Sequence, residues 1–153
     1  MDDQQCTLQW LNTDIVIITL ERREKRNALN AYCLNQLLAH IHTIQSVKPR
    51  PKCFILTGEG PVFCAGADLS DIQGLSRPDT SELGDILESH FSPVFSALHK
   101  INIPCITALN GPAVGIGVML ALSGDIILAT QDSYMRLNFS RLGLIPDGGL
   151  TYW

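Results

Sequence analysis

An α/β fold built on a largely parallel sheet is what this chain predicts, and three observations carry that expectation. Three interior runs, KCFILTG, PCITALNG and DIILAT, are apolar throughout rather than alternating, as in strands covered on both faces. Segments with helical spacing lie between them, which implies βαβ units with right-handed crossovers. At 153 residues the chain is long enough to bury the core of one domain.

The elements follow in order. TLQWL and DIVIITLE are rich in β-formers and are separated by Asn12 and Thr13, so they predict an opening hairpin. ERREKRNAL is a charged loop. Asn30 is placed to cap a helix over AYCLNQLLAHIHTIQ, in which Leu34, Leu37, Leu38, Ile41 and Ile44 recur at helical spacing. KPRP breaks that helix. KCFILTG reads as a buried strand and EGPVFCAGA as a glycine-containing loop. DLSDIQ predicts a short helix capped by Asp68, and GLSRPDT a mobile loop. Residues 81–100 read as a helix disturbed at Pro93. PCITALNG is a strand, PAVGIGVMLALSG an apolar helix lightened by glycine, and DIILAT a further strand followed by YMRLNFS.

Composition narrows the function. The net charge of −4 argues against a nucleic-acid binder, which would normally carry a basic patch. Five cysteines, Cys6, Cys33, Cys53, Cys64 and Cys105, are odd in number, show no CxxC spacing and lie mostly in apolar segments. They read as reduced, mostly buried thiols of a cytoplasmic protein. The opening MDDQQC is neither a signal peptide nor an Arg-rich transit peptide. No apolar run reaches the roughly 20 residues that span a bilayer, so no membrane partner is expected.

Two strand-to-helix connections, FILTGEGPVFCAGADL and CITALNGPAVGIG, are where chemistry is expected. Each delivers backbone N–H groups near a helix N-terminus, where donors are unpaired and the dipole favours negative charge. On neighbouring parallel strands, two such loops can build an oxyanion hole from N–H groups alone. On spacing by itself, ordinary tight turns are the better account of both. Neither loop is a P-loop, GIG fits close helix packing better than a dinucleotide, and no GxSxG elbow is present. No metal constellation appears, and His40, His42, His90 and His99 read as surface or packing residues of helices.

Four linked stretches change the balance. RNALN, LTGEGPVFCAGADL, ALNGPAVGIGVMLAL with GDIILAT, and FSRLGLIPDGG stand in an order and spacing that resembles the crotonase (enoyl-CoA hydratase/isomerase) superfamily. The resemblance runs from about the first strand to the final residue. It implies a ββα spiral core that binds acyl-CoA thioesters, with residues 1–153 as the N-terminal part of the family domain. It also implies a homo-oligomer, a trimer or a dimer of trimers. Members of the family continue with helices that close the acyl pocket and build the trimer. The chain is therefore expected to be C-terminally truncated, with its helical trimerisation region missing and apolar surface left open to self-association.

Matched residue by residue, Ala67 after the glycine of CAGAD and Ile116 in the middle of GIG would supply the oxyanion N–H groups. Ala65, Gly66, Ala67, Asp68, Leu69 and Ile116 would line the substrate channel. Arg22, Arg23, Lys25 and Arg26 resemble the basic stretch that meets CoA phosphates, and a solvated loop is an equal account of them. No cofactor is implied, because coenzyme A enters as part of the substrate.

The resemblance also bears on the reaction. Hydratase members use two glutamates, and the matching positions here are Met119 and Phe139, neither of which can act as acid or base. Asp147, in IPDGG, matches the single acid of isomerase-type members. The implied reaction moves a double bond from 3-enoyl-CoA to 2-trans-enoyl-CoA, with Asp147 carrying the proton and the two N–H groups holding the enolate. A ring-opening isomerase of epoxidised aromatic acyl-CoA and a non-catalytic acyl-CoA-binding or assembly module are the alternatives. On residues alone, Asp147 is a turn residue or an N-cap ahead of GGLTYW.

Overall fold

A computed structural model describes residues 4–70, 84–143, 145–146 and 149–151. The chain opens on the antiparallel pair β1 (Cys6–Trp10) and β2 (Ile15–Leu20), in register from Cys6 opposite Leu20 to Trp10 opposite Val16. Asn12 makes the turn. Its Oδ1 accepts from the N–H groups of Asp14 at 2.8 Å and Ile15 at 3.0 Å, standing in for a backbone acceptor.

Helix α1 (Ala31–Ser46) begins where the sequence places it. Asn30 is extended and its Oδ1 accepts from the Cys33 N–H at 2.8 Å, which satisfies one donor of the first turn. The helix buries Cys33, Leu34, Leu37, Ile41 and Ile44, while Leu38 is only half-buried at the margin of that stripe. Gln36 Oε1 accepts from the N–H groups of Gln5 and Cys6, both at 2.9 Å, and so ties the helix to the start of β1.

β3 (Cys53–Gly58), β4 (Cys105–Leu109) and β6 (Ile126–Ala129) complete a five-stranded sheet in the order β1-β2-β3-β4-β6, with β2 to β6 parallel. The three apolar runs are thus parallel strands of one sheet. Their burial is less even than the runs suggest. β3 and β4 alternate between fully and partly buried positions, and edge strand β6 leaves Ile126 56% and Leu128 61% exposed. β6 pairs with β4 alone among the described strands, and the described residues do not cover its Ile126 and Leu128 side chains.

Between β3 and β4 the chain is helical over residues 84–100, and the disturbance falls one turn before the expected proline. A π turn at Leu87–Phe91 leads into α2 (Ser92–Lys100). Pro93 has no N–H for the Ser89 carbonyl, and its ring would crowd that carbonyl, so the preceding turn widens. The second apolar helix starts later than its sequence suggests. Ala113–Val114 form a short strand, β5, parallel to β7 (Met135–Arg136), and only then does α3 (Ile116–Leu122) begin. Gly115, at φ 55 and ψ −126, sets the break. A short 3-10 turn, Phe139–Leu142, follows β7.

No described helix is long and apolar enough to cross a membrane. The loop expected at 74–80 and the second half of DLSDIQ lie outside the described residues.

Replacing the Asn30 cap tests how much the first turn of α1 contributes. Asn30→Ala should lower unfolding stability by about 1 kcal/mol, read as a fall in denaturant midpoint with an unchanged slope.

Candidate active site

The segment Phe63–Asp68 runs between two other stretches of backbone and bonds to both. On one side Ala65 N–H donates to Arg26 O at 3.0 Å, Leu29 N–H to Gly66 O at 2.7 Å, and Asp68 N–H to Leu29 O at 2.9 Å. On the other, Phe63 and Cys64 N–H groups donate to Pro112 O at 3.1 and 3.2 Å, and Val114 N–H donates to Cys64 O at 2.9 Å. Leu29 and Ala67 therefore form a parallel bridge, as do Cys64 and Ala113.

This pattern decides where the Ala67 donor goes. Leu29 takes the groups of Gly66 and Asp68, so the Ala67 N–H faces the opposite side, as alternate residues of a parallel ladder must. No described acceptor takes it. The start of α3 lies close to Gly66, the residue before Ala67. Ile116 is its first residue, and a first-turn N–H has no partner within its own helix. Gly66 holds the two together: at φ +98, a Cβ on it would meet Val114 O at 2.8 Å and Ile116 N at 3.8 Å. Only a glycine lets these backbones lie so close. Two N–H groups without a partner among the described residues, those of Ala67 and Ile116, thus lie on the two segments that meet at Gly66.

The remaining candidates fall into two groups. Ala65 is half-buried, Leu69 is exposed, and Ile116 has its side chain buried in the core cluster. Asp68 is 7% exposed and its carboxylate is fully engaged. Oδ2 accepts from Arg22 Nη2 at 2.8 Å, and Oδ1 accepts from the Ser70 N–H at 3.1 Å and from its hydroxyl. Burial alone would raise this carboxyl, but the bonds from Ser70 and Arg22, together with the Arg22 charge, hold it below the ordinary value of 3.8.

Arg22 is not available to a CoA phosphate. It is 7% exposed, and its guanidinium donates to Ala28 O as well as to Asp68, so it is neither a phosphate ligand nor part of a solvated loop. Arg23, Lys25 and Arg26 are exposed, and the Arg23 stem lies over Gly60. Asp147 lies outside the described residues. Gly149, two positions further on, lies beside Met119, whose Cε is 3.4 Å from where a Cβ on that glycine would be. Met119 and Phe139 are both buried in the apolar cluster.

Cys64 backs the same segment without being a nucleophile. Its Sγ accepts from Gly66 N–H at 3.5 Å and packs against Gly117, where a Cβ would come within 2.9 Å. Burial pushes its thiol up to about 12, against a partial lowering by that N–H, so it is protonated at neutral pH. The GIG stretch is accordingly a place of close helix packing. Among the described residues, no group of three or more His, Cys, Asp or Glu is gathered for a metal ion.

Sequence reading missed two asparagines that hold the 58–62 turn. Asn27 Nδ2 donates to Glu59 O at 2.9 Å and Val62 O at 2.7 Å, while its Oδ1 accepts from Arg22 N–H at 3.0 Å. Asn110 Nδ2 donates to Gly60 O at 2.7 Å and its Oδ1 accepts from Gly58 N–H at 3.1 Å. The available signals were an asparagine inside a charged loop and the turn-forming Asn-Gly-Pro after β4.

Comparison with known proteins agrees with this architecture. The family model described as enoyl-CoA hydratase/isomerase matches residues 11–153. A probable enoyl-CoA hydratase of Rhodobacter capsulatus is 35% identical over 145 residues, covering 94% of this chain and 53% of that protein. The 1,2-epoxyphenylacetyl-CoA isomerase of Escherichia coli K12 is 36% identical over 145 residues, covering 95% of this chain and 55% of that protein. Among solved structures, a putative enoyl-CoA hydratase/isomerase from Mycobacterium abscessus superposes with a TM-score of 0.89 at 30% identity, covering 95% of this chain and 56% of that one. The chain spans about half the length of the curated relatives it matches.

The Asp68 environment gives a pH prediction. A carboxyl depressed in the folded state contributes fully above its unfolded value, here 3.8, and loses that contribution as pH falls through its folded value. Asp68→Asn should be less stable than the parent by about 2 kcal/mol at neutral pH. The gap should close on acidification below 3.8, as measured by urea midpoints across a pH series.

Proposed function

The chain belongs to the enoyl-CoA hydratase/isomerase family, and from that premise we propose that it acts as an enoyl-CoA isomerase, moving a double bond from 3-enoyl-CoA to 2-trans-enoyl-CoA. The observation that carries the choice within the family is the nature of Met119 and Phe139. At the two positions where hydratase members carry glutamates, this chain has buried apolar side chains. Hydration needs a positioned water and groups to relay its protons. A shift of a double bond needs one base that removes a proton and returns it.

In the proposed reaction the thioester oxygen is held by the N–H groups of Ala67 and Ile116. Asp147 takes a proton from C2, and the electron pair moves onto the thioester oxygen as an enolate. Protonated Asp147 then delivers the proton to C4, the C3–C4 double bond moves to C2–C3, and the carboxylate is regenerated. Each N–H donor contributes about 3 kcal/mol to holding the developing charge. An aspartate with a reference pKa near 3.9 is a weak base, so an apolar setting that raises it serves the reaction.

Coenzyme A enters as part of the substrate and no separate cofactor is called for. Arg23, Lys25 and Arg26, exposed on the loop after β2, are the cations proposed to meet its phosphates. The proposal includes a cytoplasmic homo-oligomer, as a trimer or a dimer of trimers.

A second reading has one observation in its favour. The Escherichia coli relative is named for isomerising an epoxidised aromatic acyl-CoA, and it is as similar to this chain as the relative named a hydratase. Ring opening of an epoxide would use the same oxyanion donors and the same loop acid. Parallel assays with 3-enoyl-CoA and 1,2-epoxyphenylacetyl-CoA distinguish the two, and turnover of only the epoxide would replace the first reading. Binding of CoA thioesters without turnover of either would favour a non-catalytic acyl-CoA module.

Asp147→Asn keeps size and turn propensity but removes the base. It should leave CoA affinity nearly unchanged and slow isomerisation by about 100-fold or more. Hydration of 2-enoyl-CoA should be negligible in both forms. Equal isomerisation by parent and variant would show that Asp147 is a turn residue and that the base lies elsewhere.

A further inference from the structure

The structure assigns Arg22 a positioning role: through Ala28 O and Asp68 it holds the segment that aims the Ala67 N–H at the bound thioester oxygen. The assignment rests on the oxyanion reading of Ala67 and Ile116.

Arg22 lies at the end of β2, and its two guanidinium amines reach different strands. Nη1 donates to the carbonyl of Ala28, next to Leu29, the residue that pairs with Gly66 and Asp68. Nη2 reaches Asp68 Oδ2 at 2.8 Å, immediately after Ala67. One planar group therefore bonds to the residue before Leu29 and to the residue after Ala67, and so ties together the two segments that form the Leu29–Ala67 bridge. Asp68 then passes the constraint on, because its other oxygen caps the turn at Ser70. The bridge sets the direction of the Ala67 N–H, since Leu29 takes the groups on either side of it. A slip of this ladder by one group would turn the Ala67 donor toward Leu29 and away from α3.

The Arg22 backbone is fixed as firmly as its side chain. Its N–H donates to Asn27 Oδ1, and its carbonyl accepts from the N–H groups of Lys25 and Asn27, both at 2.9 Å. The fork thus starts from a rigid base. A lysine here would keep the charge but present a single point donor, which cannot serve Ala28 O and Asp68 in one plane.

The test uses acetoacetyl-CoA as the probe on the whole chain. This thioester is acidic at C2 and its enolate absorbs in the near ultraviolet. N–H donors on the thioester oxygen raise the enolate fraction, and solvent takes the proton, so the signal does not depend on Asp147. Arg22→Lys and Asp68→Asn are compared with the parent, with CoA affinity measured in parallel. The expected result is CoA binding within about 2-fold of the parent and an enolate equilibrium weakened by about 10- to 100-fold in both variants. Variants that keep the parental enolate signal would overturn the assignment while leaving the oxyanion reading intact. Absence of the signal in the parent would overturn the oxyanion reading, and this assignment with it. If Arg22→Lys does not fold, Asp68→Asn decides. Failure of both to fold would make the pair a general core contact and would also overturn the positioning role.

Discussion

Backbone pairing of one short segment, Phe63–Asp68, with a neighbour on each side is the constraint on which the rest of this molecule depends. The segment receives the Val114 and Leu29 N–H groups, and it donates to Arg26, Leu29 and Pro112 carbonyls. Each bond is worth only about 1 kcal/mol net, yet leaving any of these buried groups unpaired would cost more than that. The arrangement therefore has few alternatives. The main sheet brings the connections after β2, β3 and β4 to its carboxyl end, and the segment fixes their mutual register. That register turns the Ala67 N–H away from Leu29, and Gly66 brings the same segment close to the start of α3.

Side chains enter as struts around this backbone. Asn27 and Asn110 each supply both a donor and an acceptor, which is what a turn with exposed carbonyls on two sides requires. Arg22 and Asp68 form a buried ion pair, and such a pair adds little to stability over an apolar replacement. Its contribution is geometric. A guanidinium and a carboxylate that each bond to two partners tolerate one arrangement, whereas apolar contacts of the same volume would tolerate several. These polar residues surround an otherwise apolar core without sharing its energetics.

The fold was legible in the sequence wherever a local rule agreed with the tertiary context. Asn30 ahead of a helical stripe, Asn12 in the opening turn and the three apolar runs all lie where their patterns indicated. Legibility failed where pairing partners distant in sequence decided the outcome. Ala113–Val114 read as helix, but bonds to Cys64 and Tyr134 make them strand. Arg22 read as one of four cations in a charged loop, and only its distance to Asp68, 46 positions away, separates it from Arg23, Lys25 and Arg26. The Ala67 and Ile116 positions were reached through the family resemblance, since a glycine-containing loop by itself says nothing about which N–H remains unpaired. Asp147 was reached by the same route and lies outside the described residues.

What distinguishes the proposed chemistry from hydration is the treatment of water. A hydratase must admit a water and hold it between two carboxylates. On the proposed reading this site does the reverse at both positions, since Met119 and Phe139 are apolar and lie within the buried cluster. An enolate formed there meets no positioned water that could protonate it, so the returning proton comes from the acid that took it. Exclusion of water also strengthens the two N–H contacts to the enolate oxygen, because the surrounding dielectric falls. A flexible methionine suits such a wall, since it can follow acyl chains of different shape without opening a gap. Its Cε already lies against Gly149, so acyl chain and loop would share one apolar contact surface. On the proposed reading the backbone register would hold the charge that forms, and the apolar wall would keep the single proton from being lost to solvent.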